Sequence, residues 1–428
     1  MIDGKLLSRG TDPIREGAVD SLIARLPVLD HRRRIYGYEL HFRGKLESIL
    51  KCADPEDGLS SKTISDSVFL CDFETYTAGK RAFVKVTKDI LADGFIHILP
   101  SKSTVVEISA SVEPTPEIAA ACERLKGQGY LFAVEQILES PWSDFYVRIA
   151  DIVKVPVTKS EDPETENLLR RLAQKGVRFL ARDVETPEIF ERAVKKGYSL
   201  FEGGFFKVPV IFSRTKDIPG FKLNYLRLIA ALHEPEMDFE KLEGIIKREV
   251  SLAYKLLRYL NSTSVGSYSE IRSITHALAL LGEVETKRWA SLVLLTGLAQ
   301  DKPDELVTQA LTRARFCEKL GAGSREESRD QELFLMGMLS LMDSILDRRL
   351  SEILKAMPLA DDVKRALLGE RSDPWWSLEC VRALERADWA TVSACAEKLG
   401  ADGREIGRAH REAVQWAQES HSTLEEAA

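Results

Sequence analysis

Residues Tyr36-Gly-Tyr-Glu-Leu-His-Phe-Arg43 set a carboxylate, Glu39, and a guanidinium, Arg43, four positions apart at the end of an apolar strand. A carboxylate can ligate a divalent cation and a guanidinium can fork a phosphate, so the pair suits a metal-assisted phosphate site. Charged residues recur at the ends of later apolar runs, namely Lys85, Glu107, Glu135 with Gln136 beside it, Lys154, Arg182 and Glu202. For these to act together, the chain must bring several strand ends to one place.

The composition permits such a scaffold. The chain has 428 residues, 44% hydrophobic and 30% charged, the balance of a soluble globular protein of two domains. Residues 1–220 carry 32 Lys/Arg against 33 Asp/Glu, and residues 221–428 carry 28 against 34, so the second half is the acidic one. An acidic half argues against nucleic acid as a partner. The cysteines Cys52, Cys71, Cys122, Cys317, Cys380 and Cys395 form no Cys-x-x-Cys pair and indicate neither a zinc module nor a disulfide framework. Met1–Asp20 lacks the basic start and apolar core of a signal peptide, and the longest apolar runs fall short of the ~20 residues that span a bilayer. A reducing cytoplasm and no membrane attachment are expected.

From Ser21 to about Ile211 short apolar runs alternate with helical stretches. Leu22–Leu29, Ala82–Val86, Thr104–Ile108, Tyr130–Val134, Ile152–Val157 and Val177–Ala181 read as buried strands, too apolar for a one-sided sheet. Glu117–Lys126 closing at Gly127 and Glu166–Gln174 closing at Gly176 read as helices. Repeated strand then helix predicts a parallel sheet closed into a βα barrel, with reactive residues at the C-terminal ends of its strands. Residues 1–20 read as a loose extension, 21–213 as the barrel, and 214–222, with Pro219-Gly220, as a linker. Residues 223–418 read as almost entirely helical and 419–428 as a tail. Ser273 is the N-cap of a helix with Ile274, Ala277, Leu278 and Leu281 on one face, ended by Gly282. Similar patterns recur over 240–260, 286–298, 332–346, 360–368 and 389–399. Asn261-Ser-Thr263 reads as a helix end, and Trp375-Trp376 as an aromatic anchor between helices.

In the order of its strand ends, the segment 22–212 resembles the EAL domain of cyclic di-GMP phosphodiesterases, a (β/α)8 barrel whose two metal ions activate water against a phosphodiester. The family's Glu-x-Leu-x-Arg aligns with Glu39-Leu-His-Phe-Arg43, which implies a retained metal-binding Glu and phosphate-contacting Arg, with His41 in place of Leu. Its Val-Asn-Val-Ser aligns with Val84-Lys-Val-Thr87, so Lys85 stands where a metal-ligating Asn is implied. Its Glu-Leu-Thr-Glu becomes Glu107-Ile-Ser-Ala110, and its metal-bridging Asp-Asp-Phe-Gly becomes Glu135-Gln-Ile-Leu138. The Lys of Val-Lys-Ile-Asp is retained as Lys154. Arg182, in Ala181-Arg-Asp-Val-Glu-Thr186, replaces a metal-ligating Glu, and Glu202 replaces the Gln of a Gln-Gly pair.

The resemblance therefore implies a barrel whose metal chemistry is lost: two ligands have become cations, and at ~4 Å a cation repels a divalent ion by several kcal/mol even at an effective dielectric of ~20. Four carboxylates (Glu39, Glu107, Glu135, Glu202) and four cations (Arg43, Lys85, Lys154, Arg182) can neutralise one another without metal. Two readings of that network stand, an anion pocket built on Arg43 with Lys85 or Arg182, and a set of ion pairs that bind nothing. The carboxylates favour the second, because they oppose a dianionic nucleotide.

Residues 223–418 resemble the HDOD domain, an all-helical relative of the HD phosphohydrolases, through Ser273-Ile-Thr-His-Ala-Leu-Ala-Leu-Leu-Gly-Glu283, Arg288-Trp-Ala290 and, upstream, Leu256-Leu-Arg-Tyr-Leu-Asn-Ser262. The metal-binding His-Asp pair of those enzymes falls on Ser340-Leu341, and His233, His276, His410 and His421 are dispersed. The expectation is a bacterial signalling scaffold, inactive as an enzyme, that takes no cofactor and works through contacts with signalling proteins. Cyclic di-GMP is a candidate ligand and a homodimer a candidate assembly. The competing expectation is a residual cyclic di-GMP phosphodiesterase using Mg or Mn.

Overall fold

The computed structural model describes residues 22–43, 73–93, 95–160, 162–209, 274–322, 329–355 and 359–426, together with Leu242, Ile246, Leu256 and Met357. The extension 1–20, the linker 214–222, the Ser273 cap, Asn261-Ser-Thr263 and, those three leucine and isoleucine positions apart, the helix over 240–260 lie outside the described residues.

Eight strands close a barrel in chain order: β1 (Leu22–Asp30), β2 (Ile35–Arg43), β3 (Arg81–Lys85), β4 (Thr104–Ser109), β5 (Leu131–Glu135), β6 (Ile152–Pro156), β7 (Arg178–Arg182) and β8 (Leu200–Glu202). The sheet is not uniformly parallel, as the alternation of strand and helix predicts; β1 runs antiparallel to both β2 and β8, and only the pairs from β2 to β8 are parallel. The connection from β1 to β2 is too short for a crossover helix, so those strands must form a hairpin. Asp30 builds that turn, its Oδ1 accepting from the backbone N of Arg32 and Arg34 at 2.8 and 2.9 Å, while Arg33 takes a left-handed φ of 60°.

Helices α1 (Lys88–Asp93), α2 (Pro116–Gly127), α3 (Ser143–Ile149), α4 (Pro163–Ala173) and α5 (Pro187–Lys195) lie in the barrel segment. Three of them begin with proline, whose missing N–H is unneeded in a first turn, and Thr115 and Thr186 cap α2 and α5 by accepting from Ile118 N and Ile189 N. Inside the barrel, Val28, Phe83, Val105, Ala133, Ile152, Leu180 and Leu200 form one apolar layer.

The second half contains α6 (Ile274–Leu298), α7 (Asp304–Ala322), α8 (Asp330–Leu339), α9 (Met342–Leu346), α10 (Leu350–Leu354), α11 (Asp361–Leu367), α12 (Trp375–Leu384), α13 (Trp389–Leu399) and α14 (Gly403–Glu426). Gly282 does break α6, at φ 73° and ψ 175°, a region closed to other residues. The stretch 332–346 is two helices, because Leu341 leaves helical geometry to start α9. The segment 419–428 is not a separate tail, since α14 continues through it to Glu426 on an amphipathic face ending in buried Ala413, Val414 and Ala417. Among the described residues no helix is long and apolar enough to cross a membrane.

α7 is the hub of this half, packing against α8, α12 and α14, and it is buried on every side from Glu305 to Ala314. α8 reaches it closely at Gly337, where a Cβ would stand 2.4 Å from the carbonyl oxygen of Arg313 and 2.6 Å from the Cα of Ala314. α12 and α14 also pack on β1, so the helical half covers part of the outer face of the hairpin that has no crossover helix of its own. Apolar residues of both halves, from Leu22 to Ala417, make one contiguous core. Gly337→Ala is expected to destabilise the chain by about 1–3 kcal/mol in urea unfolding, because the contact is with backbone that has no rotamer to adjust.

Candidate functional site

Side chains alternate between the two faces of a strand, so the residue two positions beyond an interior apolar residue also points inward, one layer nearer the strand end. The barrel repeats this step six times: Phe83 then Lys85, Val105 then Glu107, Ala133 then Glu135, Ile152 then Lys154, Leu180 then Arg182, Leu200 then Glu202. In β2 the inward face carries Glu39, paired in register with Phe83, and then His41. A charged layer therefore sits directly on an apolar one at the C-terminal mouth.

At its centre is Lys154, wholly buried. Its Nζ lies 2.6 Å from Glu39 Oε2, 2.8 Å from Glu107 Oε2, 3.3 Å from Glu202 Oε2 and 3.8 Å from Glu135 Oε1. Glu135 is also met by Lys85 Nζ at 2.8 Å on Oε2 and by Arg182 Nη1 at 2.8 Å on Oε1. His41 Nε2 stands 2.9 Å from Glu39 Oε1. Each of the four carboxylates thus faces at least one cationic nitrogen.

Burial pulls Lys154 and the four carboxylates toward their neutral forms, and the neighbours decide which of them follow. Burial alone would depress Lys154; the four carboxylates reverse it and hold its pKa well above that of a free lysine. Glu39 resists burial through Lys154 and through hydrogen bonds with Glu202 and His41, and lies well below the usual carboxylate range. Glu135 is also lowered, by Lys154, Lys85 and Arg182 acting against burial. Glu202 goes the other way, raised well above its ordinary value by burial and by Glu39, although Lys154 opposes this. The same neighbours therefore favour the anion at Glu39 and the neutral acid at Glu202. Glu107 is pushed up to about 7 by burial and by Glu39 and Glu135, against Lys154.

The structure thus brings together Glu39, Lys85, Glu107, Glu135, Lys154, Arg182 and Glu202. Two residues expected with them stand apart. Gln136, in a left-handed backbone conformation at φ 56°, accepts from Ser109 Oγ at 2.7 Å on the exposed rim. Arg43 donates from Nη1 to the carbonyl oxygen of Trp389 at 2.8 Å and to Ser393 Oγ at 3.1 Å, both on α13 of the helical half. Strand period places Arg43 on the inward face, but nothing local to β2 announces an acceptor 346 residues away.

In the helical half the positions aligned with a metal pair hold other interactions. Ser340 Oγ donates to Gly337 O at 2.6 Å and accepts from Arg313 Nη1 at 3.1 Å, and Leu341 is buried in the core. Trp375 and Trp376 stand edge to face against each other, partly buried against the core, with Arg371 over both rings.

Sequence reasoning missed the polar groups that join the halves. Tyr38 OH donates to Glu305 Oε2 at 2.9 Å, and Gln309 Nε2 donates to Glu305 Oε1 at 3.0 Å. Arg313 forks Glu385 through Nε and Nη2, both at 2.7 Å, and Lys207 meets Glu385 at 2.9 Å. Burial alone would raise Glu385; Arg313 and Lys207 hold it far below the usual range. Tyr76 OH pairs with His410 Nδ1 at 3.3 Å, and burial with Arg25 nearby pushes His410 down to about 4, so the ring is neutral near pH 7. The available signal was the stripe Glu305, Gln309, Arg313 at helical spacing, which reads by default as a solvent face.

A closed eight-stranded barrel with a carboxylate-rich C-terminal mouth, followed by a helical half, defines an EAL-type barrel joined to an HDOD domain. The HDOD domain model matches residues 218–360. The chain is 31% identical over 409 residues to the uncharacterized protein YuxH of Bacillus subtilis (strain 168), covering 92% of this chain and 97% of that protein. It is 30% identical over 410 residues to the cyclic di-GMP phosphodiesterase CdgJ of Vibrio cholerae serotype O1, covering 95% and 94%. Among solved structures, a standalone versatile EAL protein from Vibrio cholerae O395 in its c-di-GMP bound form is 18% identical and covers 43% of this chain and 90% of that chain, at a TM-score of 0.34. With two relatives matched over nearly their full lengths, the chain belongs to the EAL–HDOD family of two-domain signalling proteins.

Two outcomes follow from the cluster. Lys154→Met leaves buried carboxylates without their central countercharge and is expected to cost about 3–5 kcal/mol in urea unfolding. The raised pKa of Glu107 means the folded state holds its proton more tightly than the unfolded state, so that contribution is present below pH 4.5 and is lost as pH rises through about 7. Glu107→Gln removes this titration. The melting temperature of the variant relative to wild type is expected to be higher at pH 8.5 than at pH 5, measured by calorimetry.

Proposed function

We propose that the protein is a regulatory scaffold of the EAL–HDOD type that takes no metal, hydrolyses no phosphodiester and acts through contacts with signalling proteins. The observation that carries this reading is the double capture of Glu135 by Lys85 and Arg182, each at 2.8 Å. A magnesium or manganese ion needs oxygen ligands at ~2.1 Å in near-octahedral order. Any ion on Glu135 would lie against two cationic head groups, repelled by several kcal/mol from each at an effective dielectric of ~20. The residues present therefore do not fit the pair of ions that EAL phosphodiesterases use.

The helical half supports the same reading, since Ser340 and Leu341 offer a hydroxyl already bonded to Arg313 and an aliphatic core residue. A cytoplasmic location belongs to this proposal. So does a scaffold in which the two halves act as one body, because the groups that join them are buried charges that neither half could leave unpaired.

A second reading, hydrolysis of cyclic di-GMP, is favoured by the name of CdgJ, a relative at 30% identity over 94% of its length. The two are separated by incubating the purified full chain with cyclic di-GMP and Mn or Mg and resolving products by chromatography. The expected result is no linear dinucleotide above the buffer control. Turnover that disappears in Glu39→Ala would establish the second reading instead.

A further inference from the structure

The end of the barrel opposite the carboxylate mouth carries the contrary charge. Phe83 and Leu180 belong to the interior apolar layer, so Arg81 and Arg178, two positions before them, lie on the inward face one layer nearer the N-terminal ends of β3 and β7. Tyr36, next to Arg81 at the start of β2, packs against that layer, its ring edge-on to Phe83 with centres 6.1 Å apart. Both guanidinium groups come to that one ring: Arg81 Cζ lies 5.2 Å and Arg178 Cζ 4.7 Å from its centre. Strands β8 and β1 separate β7 from β2, so Arg178 crosses the barrel floor to donate from Nη2 to Tyr36 OH at 2.5 Å.

Donors converge on this floor without an anion to receive them. Among the described residues neither arginine has a carboxylate within ion-pair distance, Arg81 Nε is buried without an acceptor, and the hydrogen of Tyr36 OH, whose oxygen accepts from Arg178, has none either. Elsewhere in the chain half-buried and buried arginines meet carboxylates, as Arg182 meets Glu135 and Arg313 meets Glu385. Water accepts a hydrogen bond but leaves two like charges on one ring, whereas an anion satisfies the donors and offsets the repulsion. The turns entering β3, β4 and β7 add the exposed Lys80, Lys102 and Lys175, while Asp30 and Asp151 at the same end are already taken by Arg34 and Lys126. Lysines in such turns complement helix C-termini, but Arg81 and Arg178 stand within strands, where no helix end calls for charge. The donors come from three separate arms. One guanidinium fork consumes both oxygens of a carboxylate, whereas a tetrahedral phosphate has oxygens enough for two arginines and a phenol.

We propose that the N-terminal floor of the barrel binds a phosphate group, held by Arg81, Arg178 and the Tyr36 hydroxyl. The group arrives on a free phosphate compound or on a phospholipid headgroup, and the chemistry at the floor is the same for both. The rim lysines raise its local concentration. A phosphate there ties β2, β3 and β7 together, so its binding is read as thermal stability. The site uses nothing at the mouth, goes beyond the scaffold reading and does not depend on whether the barrel hydrolyses anything.

The test compares melting temperatures of the full-length protein in chloride and in about 5 mM inorganic phosphate at equal ionic strength, a concentration too low for the general salting effect of phosphate. The expected result is a rise of at least about 3 °C for wild type, lost in Arg81→Gln and Arg178→Gln and reduced in Tyr36→Phe. Arg178→Lys keeps the charge without the fork and is expected to lose most of the rise, so a milder variant remains if the glutamine changes fail to fold. Lys85→Gln, at the mouth, is expected to retain it. In a second arm, wild type and Arg81→Gln are sedimented with vesicles of phosphatidylcholine alone and with about 30% phosphatidic acid. Capture by the acidic vesicles that is confined to wild type assigns the phosphate to a lipid headgroup. A rise with phosphate that the floor variants lose, without such capture, assigns it to a free phosphate compound. Equal behaviour of wild type and floor variants in both arms, or no effect in either, overturns the proposal.

Discussion

The Lys154 ammonium, buried among Glu39, Glu107, Glu135 and Glu202, is the interaction on which the rest of the structure depends. Removing an ion of this kind from water costs several kcal/mol, and only close, well-placed opposite charges offset it. Those charges come from strands β2, β4, β5 and β8, so the cluster exists only if the barrel closes with each strand in register. A slip by one residue would turn that strand's charged residue outward and its apolar partner with it. The cluster and the apolar layer beneath it thus enforce the same register.

The cluster is also linked mechanically to the second half of the chain through β2. Glu39 belongs to the cluster, while Tyr38, one position before it, and Arg43, four positions after it, belong to the helical interface. The hairpin explains why the interface forms here. β1 and β2 lack a crossover helix between them, so their outer face needs another cover, and α12 and α14 lie against β1. The cover is polar where it meets Arg25, Tyr38, Glu305 and His410, all buried. Buried groups of that kind specify one docking geometry, because any other would leave charges unpaired.

Much of the barrel was legible in the sequence for a simple reason. Strands covered on both faces read as continuous apolar runs, and six of the eight were bounded to within a residue or so by that pattern, as Thr104–Ser109 and Ile152–Pro156 show. β8 was not legible: at three residues, Leu200–Glu202 is too short for any period to appear. The antiparallel β1 was hidden because an apolar run carries no direction. In the helical half, the ends of α13 could be read from its pattern, whereas the polar stripe of α7 misled, since burial inside an interface and exposure to water select the same residue types.

The sequence by itself determined which side chains reach the barrel mouth, because alternation along a strand is a local property and each charged residue follows an interior apolar residue by two positions. It also carried the kinship of both halves, which the matched relatives show, and the expectation that Lys85 and Arg182 stand at metal-ligating positions. Only the tertiary structure decided how those groups pair: that Lys154 takes the centre, that Lys85 and Arg182 both meet Glu135, and that Arg43 is spent on the helical half. Pairing depends on distances between residues more than a hundred positions apart, set by barrel closure and domain docking together. No spacing within a single strand carries that information.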